Sequence, residues 1–200
     1  MNQDIQSRMA LVIVDLQNDF LSPQGAYARG ITVSADAQAL PQRVVPVAQA
    51  IKAHHGLVTA SLFTLWPNTA GQPMISPHLL ERRPFLQKGD FAPGSWGQSN
   101  VDLISPWVDV AVCKVAYSAF FNTQLDWVLR RAGINKVIVC GIVTNGGVAS
   151  TVRDAHMRDY DTVVLSDGCA SFTQAAHQAA LTDMSSVAQV MTCEQLIASL

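Results

Sequence analysis

The sequence is poor in charge. Charged residues make up 14% of its 200 positions, against roughly 25% in an average soluble domain, and 13 basic and 15 acidic side chains give a net charge of −2. Because no basic surplus exists to neutralise a row of phosphates, nucleic acid is not expected as a partner. The shortage of charge favours a surface that is uncharged or partly covered in a homo-oligomer.

Long hydrophobic runs and paired cysteines are also missing. The longest early apolar run, Met9 to Val14, is too short for a membrane span or a signal peptide, so we expect no membrane contact and a cytoplasmic protein. Cys113, Cys140, Cys169 and Cys193 form no CxxC pair and have no regular spacing with the five histidines. We therefore expect no structural zinc site and no disulfide framework, and interpret these cysteines as mostly buried free thiols.

Apolar runs of strand length alternate with segments of helical spacing, and neither a linker nor an internal repeat interrupts them. The predicted strands are 9–14, 57–63, 108–113, 136–141, 162–165 and 189–191, and the predicted helices are 41–55, 123–132, 145–160, 173–187 and 193–200. Residues 64–106 are irregular, and an irregular stretch of this length in a compact domain is usually functional. The pattern predicts one α/β domain over residues 1–200, with a three-layer α/β/α Rossmann-like fold and a mainly parallel sheet of about six strands.

Residues with useful chemistry follow three of these strands. Asp15 comes after the first strand, Lys114 after the third, and the segment 141–148 after the fourth, where it opens a helix. Parallel strands end at one edge of a sheet, where such sheets bind ligands, so we expect these residues to meet. A carboxylate beside a lysine in a partly dry cleft suits proton transfer, and free N–H groups at a helix start suit an anion.

Each of these signals has an ordinary structural alternative. Asp15 can be a strand-end turn residue, Asp19 a helix N-cap and Lys114 a solvated lysine. The pair Gly146-Gly147 can be part of a plain loop, and it matches neither GxGxxG nor a Walker loop, so a nucleotide site is not expected.

Four ordered segments of the chain resemble the isochorismatase-like hydrolases, a superfamily that includes nicotinamidases, N-carbamoylsarcosine amidases and isochorismatases. The matching segments are 12–20, 94–97, 114–120 and 141–155. The resemblance extends from Met9 to about Met191. It implies a hydrolase with a small-molecule substrate that assembles as a homo-oligomer, a dimer or tetramer.

In the cysteine hydrolases of this superfamily, an aspartate, a lysine and a cysteine form a triad. The resemblance implies that Asp15 and Lys114 match the first two, but Gly147 occupies the position of the nucleophilic cysteine. Without a thiolate, thioester chemistry on amides is lost. Cys140 lies inside the preceding strand, and Ser150 is about one helical turn further on and is expected to point away from the cleft.

The isochorismatases proper resemble this chain in having glycine at that position, and they hydrolyse a vinyl ether without a covalent enzyme intermediate. By this resemblance Asp15 would be the general acid that protonates the alkene carbon, and Lys114 would hold charge and orientation. Water would add to the resulting cation, and Gly147 would leave room beside the substrate. We expect hydrolysis of a small carboxylated substrate. An amidase inactivated at Gly147 and a non-catalytic binding protein remain as alternatives.

Further residues are candidates for binding the substrate. The predicted set contains the aromatic residues Phe20, Trp96, Tyr117 and Phe121 together with Val143, Thr144, Asn145 and Gly146 of the segment after the fourth strand. The aromatic side chains can equally belong to the core. Arg82, Arg83 and Lys88 can bind a carboxylate or remain solvated.

A cofactor is not expected. Nicotinamidases resemble one another in an Asp-x-His pair after the second strand that serves a metal, whereas residues 64–68 here are Thr-Leu-Trp-Pro-Asn. The resemblance therefore implies no catalytic metal. It also implies a cis peptide just before Thr144.

Overall fold

The computed structural model describes residues 8–31 and 34–200. Among these residues, six strands form one sheet in the order β3-β2-β1-β4-β5-β6, and every neighbouring pair is parallel. The strands are β1 (Met9–Val14), β2 (Leu57–Phe63), β3 (Val110–Lys114), β4 (Lys136–Ile142), β5 (Asp161–Ala170) and β6 (Gln189–Met191). The predicted α/β fold with a six-stranded parallel sheet is confirmed.

Helices flank this sheet. They are α1 (Asn18–Leu21), α2 (Ala35–Gln38), α3 (Leu40–Ala53), α4 (Pro77–Arg82), α5 (Leu125–Arg131), α6 (Ala149–His156), α7 (Gln174–Met184) and α8 (Cys193–Ala198). The chain adds β2 and β3 on one side of β1, and β4, β5 and β6 on the other. Right-handed crossovers then place the two sets of connections on opposite faces of the sheet. No helix in the described ranges is long and apolar enough to cross a membrane.

Two predicted segments differ from the structure. The strand predicted at 162–165 is β5, which runs on to Ala170, because a shift in its pairing with β4 between Val139 and Gly141 lets the strand continue past a polar stretch. The helix predicted at 145–160 begins instead as a π-helical turn, Thr144–Val148, and α6 follows it. The irregular region 64–106 contains α4, none of whose residues is buried.

The core is centred on β1. Residues Ala10 to Val14 have no exposed surface, as expected of a strand covered on both faces. Cys140, Cys169 and Cys193 are buried, while Cys113 is exposed, so the cysteines are mostly buried free thiols as predicted. Burial raises the pKa of the Cys193 thiol to about 12, which keeps it protonated at neutral pH.

The residues after Asp15 fasten the loops around the end of β1. Gln17 donates from Nε2 to the carbonyl oxygens of Phe63 (3.0 Å) and Gln98 (2.7 Å). Asn18 donates from Nδ2 to the Trp96 carbonyl oxygen at 2.9 Å. These buried amides connect β1 to the end of β2 and to the loop that precedes β3.

Asp19 connects two further loop segments through its carboxylate. It lies inside α1 rather than at its N-cap, so the N-cap interpretation is wrong. Its carboxylate accepts from the backbone N–H of Ala26 at 3.0 Å and from that of Phe91 at 2.7 Å. Gly97 lies directly against it: a Cβ there would be 2.1 Å from Asp19 Oδ2, so only glycine fits without a shift.

We expect Asp19→Ala to lower the free energy of unfolding by about 3 kcal/mol, because two buried backbone N–H groups lose a charged acceptor. Urea denaturation measures this change. Asp102→Ala, at an exposed carboxylate in the same region, is the matched control and should change the free energy by less than about 0.5 kcal/mol. An equal effect of both substitutions would contradict the fastening role.

Candidate active site

A cleft opens at the carboxyl ends of the strands, beside the point where the strand order changes direction. Such a switch point is where open α/β sheets bind ligands. The cleft contains about 550 Å³ of empty volume and is partly open to solvent. It is lined by Asp15, Phe20, Tyr27, Phe63, Leu79, Arg83, Lys114, Val115, Ala116, Tyr117, Ile142, Val143, Gly147 and Phe172.

Asp15 stands at the floor of this cleft. It follows β1 directly and adopts a left-handed backbone conformation with φ of 58°. The residue is only 4% exposed, and its Oδ1 accepts a 3.0 Å hydrogen bond from the hydroxyl of Ser61 on β2. Asp15 is thus a strand-end residue, as the ordinary alternative has it, but its carboxyl is buried and hydrogen-bonded.

Lys114 is the last residue of β3 and is 2% exposed, so it is not a solvated lysine. Its Nζ lies 2.7 Å from Asp15 Oδ2 and donates to the carbonyl oxygens of Ala116 at 2.9 Å and Tyr117 at 3.0 Å. An ammonium has three protons, and all three have an acceptor here. Nζ is thus held in a fixed position beside Asp15.

The environment of Asp15 changes its acidity. Burial raises the pKa of its carboxyl above the ordinary value, and the attraction of Lys114 and the hydrogen bond from Ser61 offset only part of that rise. The carboxyl therefore keeps its proton to a higher pH than an exposed aspartate does.

Gly147 lies in the π-helical turn and faces Asp15. A Cβ at this position would be 3.4 Å from Asp15 Oδ2, 3.0 Å from Val14 Cγ1 and 3.2 Å from the Ile142 carbonyl oxygen. Any side chain at residue 147 would therefore project beside the Asp15 carboxylate. Cys140 lies in the core within β4, and Ser150 does not line the cleft.

Of residues 143–146, which were predicted to bind the substrate, only one lines the cleft. Val143 lines the cleft, but Thr144 is buried behind the wall, with Oγ1 2.8 Å from His177 Nδ1. Asn145 is exposed and accepts a 2.6 Å hydrogen bond from the Ser171 hydroxyl. Gly146 packs near the Tyr117 ring without lining the cleft, and the cis peptide joins Ile142 to Val143, one residue earlier than expected.

Two of the four predicted aromatic wall residues lie elsewhere. Phe20 and Tyr117 line the cleft, whereas Trp96 (54% exposed) and Phe121 do not. The backbone of Trp96 is tied to Asn18, and its side chain remains largely in solvent. The prediction for Trp96 as a wall residue is thus wrong.

Sequence reasoning missed several residues that line the cleft and left others undecided. Of the three basic candidates, the structure brings only Arg83 into the cleft, while Arg82 and Lys88 are exposed. Phe63 ends β2, and the strand-end argument applied to that strand would have found it. Tyr27 lies in the short 3-10 helix Ala26–Arg29 and Phe172 in the loop after β5, and neither had a signal in the sequence.

The described residues contain no group of three or more His, Cys, Asp or Glu side chains arranged to hold a metal ion. The charged groups at the floor of the cleft are the carboxylate of Asp15 and the ammonium of Lys114.

The sequence and the fold were compared with known proteins. The ureidoacrylate amidohydrolase RutB of Pantoea ananatis is 37% identical over 183 residues, which cover 85% of this chain and 69% of that protein. RutB of Serratia proteamaculans is 35% identical over 188 residues, covering 86% and 74%. A cysteine hydrolase from Pseudomonas syringae pv. phaseolicola superposes with a TM-score of 0.81 at 26% identity, covering 96% of this chain and 91% of that one.

An isochorismatase family protein from Desulfovibrio vulgaris shares the fold, with a TM-score of 0.81 at 23% identity over 96% of this chain and 98% of that one. The model of the isochorismatase domain matches residues 9–195, nearly the whole chain. With this match and these relatives, the chain belongs to the isochorismatase domain family and is a hydrolase of that family.

Proposed function

We propose that the protein hydrolyses a small carboxylated substrate by acid catalysis from Asp15, without a cysteine nucleophile. The observation that carries the proposal is Gly147, which brings no side chain to the place beside the Asp15 carboxylate. The buried pair of Asp15 and Lys114 is present beside it. The site therefore has the groups for proton transfer but not the thiol for acyl transfer.

Asp15 is the proton donor in this proposal. Its raised pKa makes the protonated form, which an acid catalyst needs, more accessible than it is in an exposed aspartate. Once the proton has left, Lys114 and the Ser61 hydroxyl stabilise the carboxylate that remains. Because all three Nζ protons of Lys114 have protein acceptors, we assign Lys114 to charge and orientation rather than to proton donation.

An enol ether illustrates the reaction. The proton of Asp15 adds to the terminal alkene carbon, and the neighbouring carbon, bonded to oxygen, becomes cationic. Water attacks that carbon from the space beside Gly147 and returns one proton to Asp15. The resulting hemiketal separates into a carbonyl compound and an alcohol, so the net change is the addition of one water molecule.

Hydrolysis of a ureido acid is the second candidate, favoured by the relatives named ureidoacrylate amidohydrolases, which are 34–37% identical to this chain. In this reaction water would have to attack a carbonyl carbon with Asp15 as the base. A raised pKa is less suited to a base that must be ionised. Incubation with isochorismate and with ureidoacrylate, followed by mass spectrometry of the products, separates the two candidates.

We expect Asp15→Asn to lower kcat on isochorismate by about 100-fold or more, because the amide has no acidic proton to transfer. Thermal unfolding would first establish that the variant is folded, since Lys114 loses its buried partner. Asp102→Asn is the control and should retain the wild-type rate. Full activity of a folded Asp15→Asn variant would exclude the proposed role.

The pH dependence offers an independent check. Because the acid must carry its proton, kcat/KM should fall as pH rises through the raised pKa of Asp15. The Ser61 hydrogen bond stabilises the charged carboxylate, so Ser61→Ala should move this fall to higher pH. Initial rates on isochorismate across a pH series provide the test. A rate that increases over the same interval would identify Asp15 as a base instead.

Substitution of Gly147 tests the space beside the carboxylate. A Cβ fits there only after small shifts of Val14 and the Ile142 carbonyl, so both Gly147→Ala and Gly147→Cys should lower the rate on isochorismate, by about tenfold or more. Only Gly147→Cys should form a covalent adduct with ureidoacrylate, visible by mass spectrometry of the intact protein. Unchanged isochorismate hydrolysis in both variants would contradict the proposed place of the water.

A further inference from the structure

The charges that line the cleft do not balance. Asp15 and Lys114 are paired with each other across 2.7 Å, which leaves Arg83 as the third acidic or basic side chain of the lining. Eight ion pairs occur in the described part of the chain, and Arg83 belongs to none of them. The cleft thus carries an excess of positive charge whether Asp15 is ionised or holds its proton, and this favours an anionic ligand.

The phenol of Tyr27 holds Arg83 in place. This arginine follows α4 and is half-buried, and its Nε donates a 2.7 Å hydrogen bond to the hydroxyl of Tyr27. The phenol of Tyr117, which lines the same cleft, lies close enough to Arg83 to raise the pKa of the guanidinium. A guanidinium has five N–H donors, so its terminal nitrogens keep protons for a ligand after Nε is used. Its planar fork matches the two oxygens of a carboxylate.

Tyr27 adds a directed donor. Its side chain is 4% exposed, and burial raises the pKa of its hydroxyl, so the phenol stays protonated. Because arginine cannot accept a hydrogen bond, the phenol proton points elsewhere, and it has no acceptor among the residues that the structure describes. An oxygen of a ligand in the cleft would provide one.

The remaining lining is apolar and flat. The rings of Tyr27 and Phe172 lie nearly parallel, with centroids 6.0 Å apart and 16° between their planes. Phe20 and Phe63 supply two more rings to the cleft. Such a wall favours a planar organic body over a branched or strongly hydrated one.

We propose that Arg83, Tyr27 and Tyr117 form a carboxylate subsite of the cleft, and that the ligand is an organic carboxylate with a flat apolar body. The carboxylate would bind at Arg83 rather than at the floor of the cleft, because the three Nζ protons of Lys114 already have protein acceptors. As a statement about the substrate this rests on the proposed function, but the binding preference can be measured without turnover.

Benzoate and benzamide are suitable probes, because they are both flat and differ mainly in charge. Isothermal titration should show that the wild-type protein binds benzoate at least about tenfold more tightly than benzamide. Arg83→Gln should reduce this ratio to near one. The matched control is Arg82→Gln, at the exposed neighbouring arginine, which should keep the wild-type ratio.

Two further variants complete the test. Tyr27→Phe keeps the ring but removes the donor, so it should weaken benzoate binding several-fold and leave benzamide binding nearly unchanged. Asp15→Asn, inactive under the proposed function, should still prefer benzoate, which separates failure of the chemistry from failure of the subsite. Equal binding of benzoate and benzamide by the wild-type protein, or an unchanged ratio in Arg83→Gln, would overturn the subsite.

Discussion

The buried ion pair between Asp15 and Lys114 constrains the whole molecule. Removing two charges from water costs several kcal/mol each, and such a pair persists only where its geometry and remaining hydrogen bonds are good. Here Ser61 completes the carboxylate, and two carbonyl oxygens of residues 116 and 117 complete the ammonium. Asp15 follows β1, Ser61 lies on β2 and Lys114 ends β3. The carboxyl ends of the three strands must therefore lie side by side. The parallel register of the sheet provides that alignment.

The pair also explains why the cleft wall is assembled from distant segments. The protons of Lys114 Nζ already have protein acceptors, so the selection of an anionic ligand falls to Arg83 instead. Arg83 reaches the cleft from a segment with little contact to the core, whereas Gly147 reaches it from a turn packed on the sheet. In the function we propose, the reacting groups and the selecting group therefore belong to separate parts of the chain.

The sequence predicted the parts that depend on short-range pattern. The apolar run before Asp15 and the strand before Lys114 have periodicity that is visible locally, and parallel topology makes their ends converge. Arg83 was one of three basic candidates because nothing local distinguishes it from Arg82; only the folded loop orients one and exposes the other. Trp96 was misplaced for a different reason. Its backbone is anchored near β1, but a sequence pattern does not show which way an anchored loop turns its side chain.

The absence of buried residues in α4 has a consequence for how this protein can diversify. A helix that contributes nothing to the core can change its sequence at little cost in stability. Asp19 and Gln17, by contrast, join loops through buried hydrogen bonds, and substitutions there disturb the frame. Evolution or laboratory selection can thus explore new ligands by exchanging residues 77–83, while the proton-transfer apparatus stays as it is.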